Sequence, residues 1–176
     1  MFPLIKWYQN IGINHLKKSI RPEYIRLVAE SPSQDLPYLH LMWTINNGSE
    51  TEIEVKRMYG SIYIGNKCVA SFDAHKPVEK QSAAGSRQQY LTIQKRILKT
   101  GHQSGVEFNF NPTIDFWIST QSNTCLLDGA FEVSGYGLNI TIPLIKDNLN
   151  IEGITPAISN YQNFLRSHLG SILKGV

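Results

Sequence analysis

From Pro37 to Asn46 the apolar residues Leu39, Leu41, Trp43 and Ile45 alternate with Tyr38, His40, Met42 and Thr44. A period of two is what a strand with one face in a core requires. Asn46-Asn47-Gly48 follows, residues that tolerate positive φ, so the chain can reverse there. Ile53 and Val55, set between Glu52, Glu54 and Lys56, form a second run. Ile62 and Ile64 form a third, which closes on the two-residue hairpin signal Gly65-Asn66 and returns through Val69 to Phe72. The pattern over residues 37–73 predicts an antiparallel meander.

Similar patterns fill the rest of the middle. Residues 23–30 predict a first strand with Ile25, Leu27 and Ala29 inward, and the Pro- and Ser-containing residues 31–37 a loop. Residues 74–86 lack periodicity and predict a long connection. Residues 87–100 fit a helix passably; a strand over 88–94 is preferred because Thr92-Ile93 favours it and the neighbours are strands. After a loop at 101–105, Val106, Phe108 and Phe110 alternate with Glu107 and Asn109 until Asn111-Pro112. Residues 113–120 predict a strand with Ile114, Phe116 and Ile118 on one face and Trp117 on the other. Residues 125–133 and 138–144 predict a hairpin around 134–137, with a bulge or kink at Asp128-Gly129. Residues 146–153 read as a loop.

The two ends carry helical spacing instead. Pro3 suits a first turn, Leu4, Trp7, Tyr8 and Ile11 recur at helical intervals, and Ile13, Leu16 and Ile20 continue them until Pro22 ends the helix near Arg21. At the other end Thr155 is placed to cap and Pro156 to open a helix. Its stripe is Ile158, Tyr161, Leu165, Leu169 and Ile172, with Gly175 after the last turn. The predicted architecture is mainly β: an immunoglobulin-like antiparallel β-sandwich with an N-terminal and a C-terminal amphipathic helix. Its parts are a helical segment at 1–21, the sandwich at 22–154 and the terminal helix at 155–176.

Composition narrows the class. At 176 residues, 41% apolar and 18% charged, the chain can bury a proper core and is not disordered. The net charge of +3 is too small to require nucleic acid, but the charge is unevenly spread. Lys67, Lys76, Lys80, Arg87, Lys95, Arg96 and Lys99 face only Asp73 and Glu79 in the middle, whereas residues 101–155 hold six acids against Lys146. Cys68 and Cys125 each sit in a strand-like run. They read as two small buried hydrophobes, with a sheet-to-sheet disulfide as the alternative. No apolar run has the length of a membrane span and no secretory leader is visible, so a cytoplasmic protein is expected.

Certain of these segments resemble a known family. Leu41, Trp43, Ile45 and Asn46-Asn47, then Ile53-Glu54-Val55, then Ser61 to Ile64 with Gly65-Asn66-Lys67-Cys68-Val69-Ala70, are similar to the LEA-2/WHy type of immunoglobulin-like domain. Phe131 to Tyr136 and Leu138 to Leu144 resemble that family's closing strands. The family's usual Asn-Pro is missing, since Gly48 follows Asn47, and the C-terminal helix is an addition. The resemblance implies a non-catalytic module concerned with stress protection or with protein or membrane contact. It supplies no active-site residues.

The residues themselves offer little chemistry. Phosphate loops, Cys-x-x-Cys pairs, His-Glu-x-x-His and nucleophile elbows are absent. Asp73 and His75 lie close in sequence to Cys68, with His102 further on, but a metal needs three or four converging ligands, so solvated loop residues are expected. His40 falls on the polar face of its strand, and His15 and His168 on helices, as packing or surface residues. No cofactor, metal or catalytic residue is assigned. The candidate interaction surface is Lys76, Lys80, Arg87, Tyr90, Lys95, Arg96 and Lys99; these residues read first as a solvated face, then as a contact for a protein or an anionic membrane, and last for nucleic acid. In a strand, however, Lys95 and Arg96 would point opposite ways. An outward Trp117 would mark a further patch. Leu4, Trp7, Tyr8 and Ile11 form a stripe that either packs on the domain, lies in a membrane interface or binds a partner helix-wise. The expected function is a binding or structural module acting through protein–protein contact; the alternative is a peripheral membrane protein anchored by the N-terminal helix.

Overall fold

The computed structural model describes residues 2–32, 36–79, 90–120 and 122–174. Its elements run α1 (Phe2–Ser19), β1 (Ile20–Glu30), β2 (Tyr38–Asn47), β3 (Ile53–Ile64), β4 (Lys67–His75), β5 (Val78–Glu79), β6 (Tyr90–Ile93) and β7 (Ile97–Leu98). They continue with β8 (Gln103–Phe110), α2 (Ile114–Ser119), β9 (Thr124–Gly135), β10 (Leu138–Glu152) and α3 (Ile154–Lys174). The strands form one mixed sheet in the order β4-β3-β9-β10-β1-β2-β8-β6-β5, with β7 pairing β3 off that path. The sheet curls into a half-barrel. Phe72 of β4, at one end of the order, meets Trp43 of β2 and Phe108 of β8 from the other half, with ring centroids 5.9 and 5.1 Å apart. The link from β6 to β7 crosses the same gap, where the Arg96 carbonyl accepts from the Val55 N–H at 2.8 Å.

The alternation in β2 does what its spacing demands: odd positions are buried and even ones half-buried throughout. One continuous core joins Trp43, Phe110 and Phe131 of the sheet to Leu16 of α1, Phe116 and Trp117 of α2, and Ala157 and Tyr161 of α3. The Gly65-Asn66 hairpin forms as expected, Gly65 taking φ +59° between the paired Ile64 and Lys67. The β9–β10 turn at Tyr136-Gly137 uses two positive φ values, 53° and 69°.

Elsewhere the structure corrects the reading. The sheet is not wholly antiparallel, because β1 runs parallel to β10 and β5 to β6. The meander holds only for β3 and β4: β2 pairs with β1 and β8, and residues 48–52 carry the chain to the other half of the sheet. The second and third apolar runs are one strand. A register shift between Val55 and Arg57 against β9 moves the buried set from Ile53 and Val55 to Met58 and Ile62, changing its phase.

Within residues 113–120, Ile114–Ser119 are helical, not extended. Phe116 and Trp117 are adjacent and both buried, which the alternation of a strand forbids and a helix allows, while Ile114 and Ile118 face solvent. Trp117 therefore marks no surface patch. Residues 146–153 are not a loop, since β10 runs to Glu152. A register shift between Lys146 and Leu149, with Asn148 at φ 51°, turns it from β9 toward β1. At Asp128-Gly129 the pairing is regular. There Gly129 faces Gly60, and a Cβ on Gly129 would stand 2.5 Å from the Tyr59 carbonyl, so close backbone approach explains the glycine.

α1 ends at Ser19, and Ile20, Arg21 and Pro22 already pair with β2, so β1 begins three residues before the expected strand. α3 begins at Ile154, which puts Thr155 inside the first turn instead of at the cap. The strand expected over 88–94 spans Tyr90–Ile93, residues 80–89 lie outside the described residues, and β8 starts at Gln103 within the expected loop. Ala74 and His75 still belong to β4. Both cysteines are free, and Cys68 is exposed, so only Cys125 behaves as a buried hydrophobe.

Candidate functional site

Leu4, Trp7, Tyr8 and Ile11 occur at i, i+3, i+4 and i+7, which places them on one stripe about 100° wide. The structure leaves all four bare: they are 60, 58, 65 and 47% exposed. The Trp7 and Tyr8 rings meet edge to face at 5.1 Å. Roughly 120° round the helix, Leu16 is fully buried, and a Cβ on Gly12 would lie 3.0 Å from Leu138 Cδ1. That side faces the sheet, so the stripe faces away. Contact begins at Gly12 because Leu138 opens β10 at the hairpin tip; residues 4–11 are all exposed. Lys6, Gln9 and Asn10 occupy the side opposite the stripe. Residues 1–22 hold Lys6, Lys17, Lys18 and Arg21 and no acid, and the two lysines of the last turn complement the helix dipole. Among the described residues no helix is long and apolar enough to cross a membrane.

The basic set is only partly assembled. Lys76 and Arg96 converge on Glu54 beside Lys56, a cation that sequence reading left out. Lys56 Nζ donates to the Glu54 carboxylate at 2.8 Å and, with the charges of Arg96 and Lys76 behind it, holds that carboxyl below its ordinary range. The backbone explains the meeting: the Lys76 N–H donates to the Lys56 carbonyl at 2.8 Å, and Arg96 adjoins Val55. Lys95 and Arg96 sit in the link between β6 and β7, where strand alternation no longer separates them. Lys99 is exposed just after β7. Lys80, Arg87 and the Tyr90 side chain lie outside the described residues.

Other chemistry-bearing groups are engaged structurally. Arg57 donates to both Asp73 oxygens at 2.9 Å, which lowers the Asp73 pKa, and His75 Nε2 stands 3.7 Å from the same carboxylate. Among the described residues no three His, Cys, Asp or Glu side chains converge as metal ligands would. His40 lies between two carboxylates on the outer face of β1, β2 and β8. Its Nδ1 is 3.6 Å from Glu30 and its Nε2 3.8 Å from Glu107. Burial, and behind it the charges of Glu30 and Glu107, pushes the neighbouring Tyr38 phenol up. Nothing local in the sequence announced that cluster, which depends on cross-strand pairing.

A cavity of about 390 Å³ opens between the β3–β4 hairpin and α2. Ile64, Val69, Pro112 and Phe116 make its apolar wall. Lys67 and Cys68 lie on the hairpin side, and the hydroxyl residues Thr113, Ser119, Thr120 and Ser122 on the other. With 113–120 read as a strand, this site was invisible in the sequence.

No protein-family model matches the chain, and no curated protein matches it. Among solved structures, it is similar to an X-ray structure of a Northeast Structural Genomics Consortium target, with 13% identity and a TM-score of 0.47 over 78% of this chain and 91% of that one. A Bordetella pertussis protein designated ApaA is similar at 17% identity and TM-score 0.43, over 77% and 91% of the two chains. The archaellum periplasmic stator protein FlaG from Sulfolobus acidocaldarius is similar at 12% identity and TM-score 0.33, over 70% of this chain and all of its own.

Proposed function

We propose that this protein is a non-catalytic binding module that sits reversibly on an anionic membrane surface through α1. The observation that carries this reading is the bare stripe of Leu4, Trp7, Tyr8 and Ile11, turned away from the sheet on a helix that holds cations and no acid. Trp and Tyr suit the headgroup boundary, where one end of the ring is apolar and the other wet. Each half-exposed side chain that leaves water contributes on the order of 1 kcal/mol. Each nearby Lys or Arg adds about 1 kcal/mol at a surface rich in anionic lipid. A sum of this size gives reversible attachment that depends on lipid charge, and the location that goes with this reading is the face of a membrane rich in anionic lipid. The scaffold reading that accompanies it is an immunoglobulin-like sandwich of the LEA-2/WHy type, supported by the facing contacts of Phe72 with Trp43 and Phe108 and by the Gly65-Asn66 hairpin.

The test is flotation with phosphatidylcholine vesicles, with and without phosphatidylserine. The wild type floats with the charged vesicles and is released by salt, and its Trp fluorescence shifts to the blue. Trp43 and Trp117 are already buried, so that shift reports Trp7. Trp7→Ser with Tyr8→Ser abolishes flotation while leaving the melting temperature unchanged. A wild type that ignores charged vesicles overturns the proposal. If the same protein self-associates through the stripe, or binds a protein partner through it, the protein–protein reading takes its place.

A further inference from the structure

The cavity between the β3–β4 hairpin and α2 is a separate site at the far end of β3 from Ile53, the residue that approaches the α1 side near Gly135 and Leu16. Its volume of about 390 Å³ falls within the range of small-ligand clefts. The chemistry of its lining selects the class of ligand. Ile64, Val69, Pro112 and Phe116 offer an apolar wall, so the body of the ligand is apolar. Among the described residues no acid lines the cavity, so a cationic ligand would lack a counter-charge there. Among the described residues Lys67 is the one cation of the lining, and it has no ion-pair partner there. A single ammonium without an arginine fork matches a monoanion better than a phosphate dianion.

We infer that this cavity binds a small apolar monocarboxylate, its chain against Phe116 and Val69 and its carboxylate toward Lys67 and the hydroxyl side. The protein supplies its own reporter. Cys68 lies on the cavity lip and is exposed, whereas Cys125, the other of the two cysteines, is buried.

The experiment follows alkylation of Cys68 in the full chain by the neutral reagent N-ethylmaleimide, with octanoate, octylamine or acetate present. Octanoate slows the reaction saturably, while octylamine and acetate leave it unchanged. In Lys67→Met, the octanoate concentration needed for protection rises about threefold, as loss of one exposed charge contact implies. In Val69→Asp, which adds a like charge to the wall, protection disappears. Melting temperatures of both variants are measured alongside, and Lys67→Met, at an exposed site, keeps the fold. The inference is overturned if octanoate gives no protection in the wild type, if octylamine protects equally well, or if Lys67→Met is protected like the wild type.

Discussion

α1 and α3 are both amphipathic helices laid against the same curled sheet, yet they treat their apolar stripes in opposite ways. In α3, Ile154, Ala157 and Tyr161 are buried, and the Tyr161 ring stacks on Trp117 of α2 at 5.5 Å. In α1 the equivalent early turns are bare, and burial begins only at Ile13 and Leu16. The difference lies in what the chain provides opposite each helix. α2 rises beside the first turns of α3 and closes over them, while α1 first meets the sheet at Gly12, against Leu138 at the tip of the β9–β10 hairpin. An apolar stripe thus becomes core or surface according to its neighbours, and only the second kind is free to act on a partner.

Two tryptophan truncations test that contrast most strongly. Trp117→Ala removes a fully buried ring stacked on Tyr161 and set edge to face with Phe116, and is expected to cost about 3–5 kcal/mol of stability. Trp7→Ala removes a ring already more than half in water and is expected to change stability by less than about 0.5 kcal/mol. Urea denaturation of both proteins decides it. A large loss in Trp7→Ala would mean that the α1 stripe is covered after all.

Leu16→Ala comes next in size. Leu16 is the first residue with no exposure among those of α1 from Leu4 onward, so its truncation is expected to cost about 3 kcal/mol, against almost nothing for Leu4→Ala. The pair locates the point along α1 where structural duty ends. A Leu16→Ala protein as stable as wild type would put the whole helix outside the cooperative unit.

The parts of this fold that depend on neighbours in sequence were legible. β2 showed its alternation, Gly65-Asn66 its hairpin signal, residues 134–137 the place of a second hairpin, and both terminal helices their stripes. What failed depends on partners remote in the chain. The bulge after Val55 changes the phase of β3 and made one strand resemble two. α2 spans six residues, too few for a period to emerge, and its adjacent Phe116 and Trp117 fit either face of a strand equally badly. The tail of β10 is polar at most exposed positions and reads as a loop until its parallel partner β1 is known. The candidate sites divide in the same manner. Leu4, Trp7, Tyr8 and Ile11 were visible as a stripe, but their bareness follows from where the β9–β10 hairpin stops. Lys56 and the cavity beside α2 appear only when β4 and α2 take their places.

The cysteines sharpen the comparison at the closed end. Burial pushes the Cys125 thiol up to about 11, and Cys125 pairs with Leu149 shortly before α3 begins. In native protein one thiol is expected to react with a maleimide, and the second only on unfolding. Trp117→Ala should speed the second reaction by an order of magnitude or more, since a less stable fold opens more often and exposes Cys125. Trp7→Ala should leave it unchanged. Mass spectrometry of the labelled protein over time reads both, and equal acceleration in the two variants would erase the distinction between the helices.

The smallest expected effect is electrostatic. Glu152, just before α3, accepts two hydrogen bonds from Arg26, one of them at 3.0 Å between Nε and Oε1; this holds its carboxyl below the ordinary range. Asp73 and Glu54 are lowered in the same direction by Arg57 and Lys56. A carboxylate whose folded pKa is depressed stabilises the fold above its unfolded value and loses that contribution as pH falls through the folded one. Arg26 and Arg57 are raised, and both stay protonated in either state across this window. Melting temperature should therefore be flat from about pH 7 to about pH 5 and decline below about pH 4. All these groups are solvent-exposed, so the decline is modest and screened by salt. Glu152→Gln should remove its share of that acid sensitivity, whereas residues 1–22 hold no carboxylate to contribute. A Glu152→Gln protein with the full wild-type acid decline would show that the Arg26 pair does not couple β1 to the end of β10.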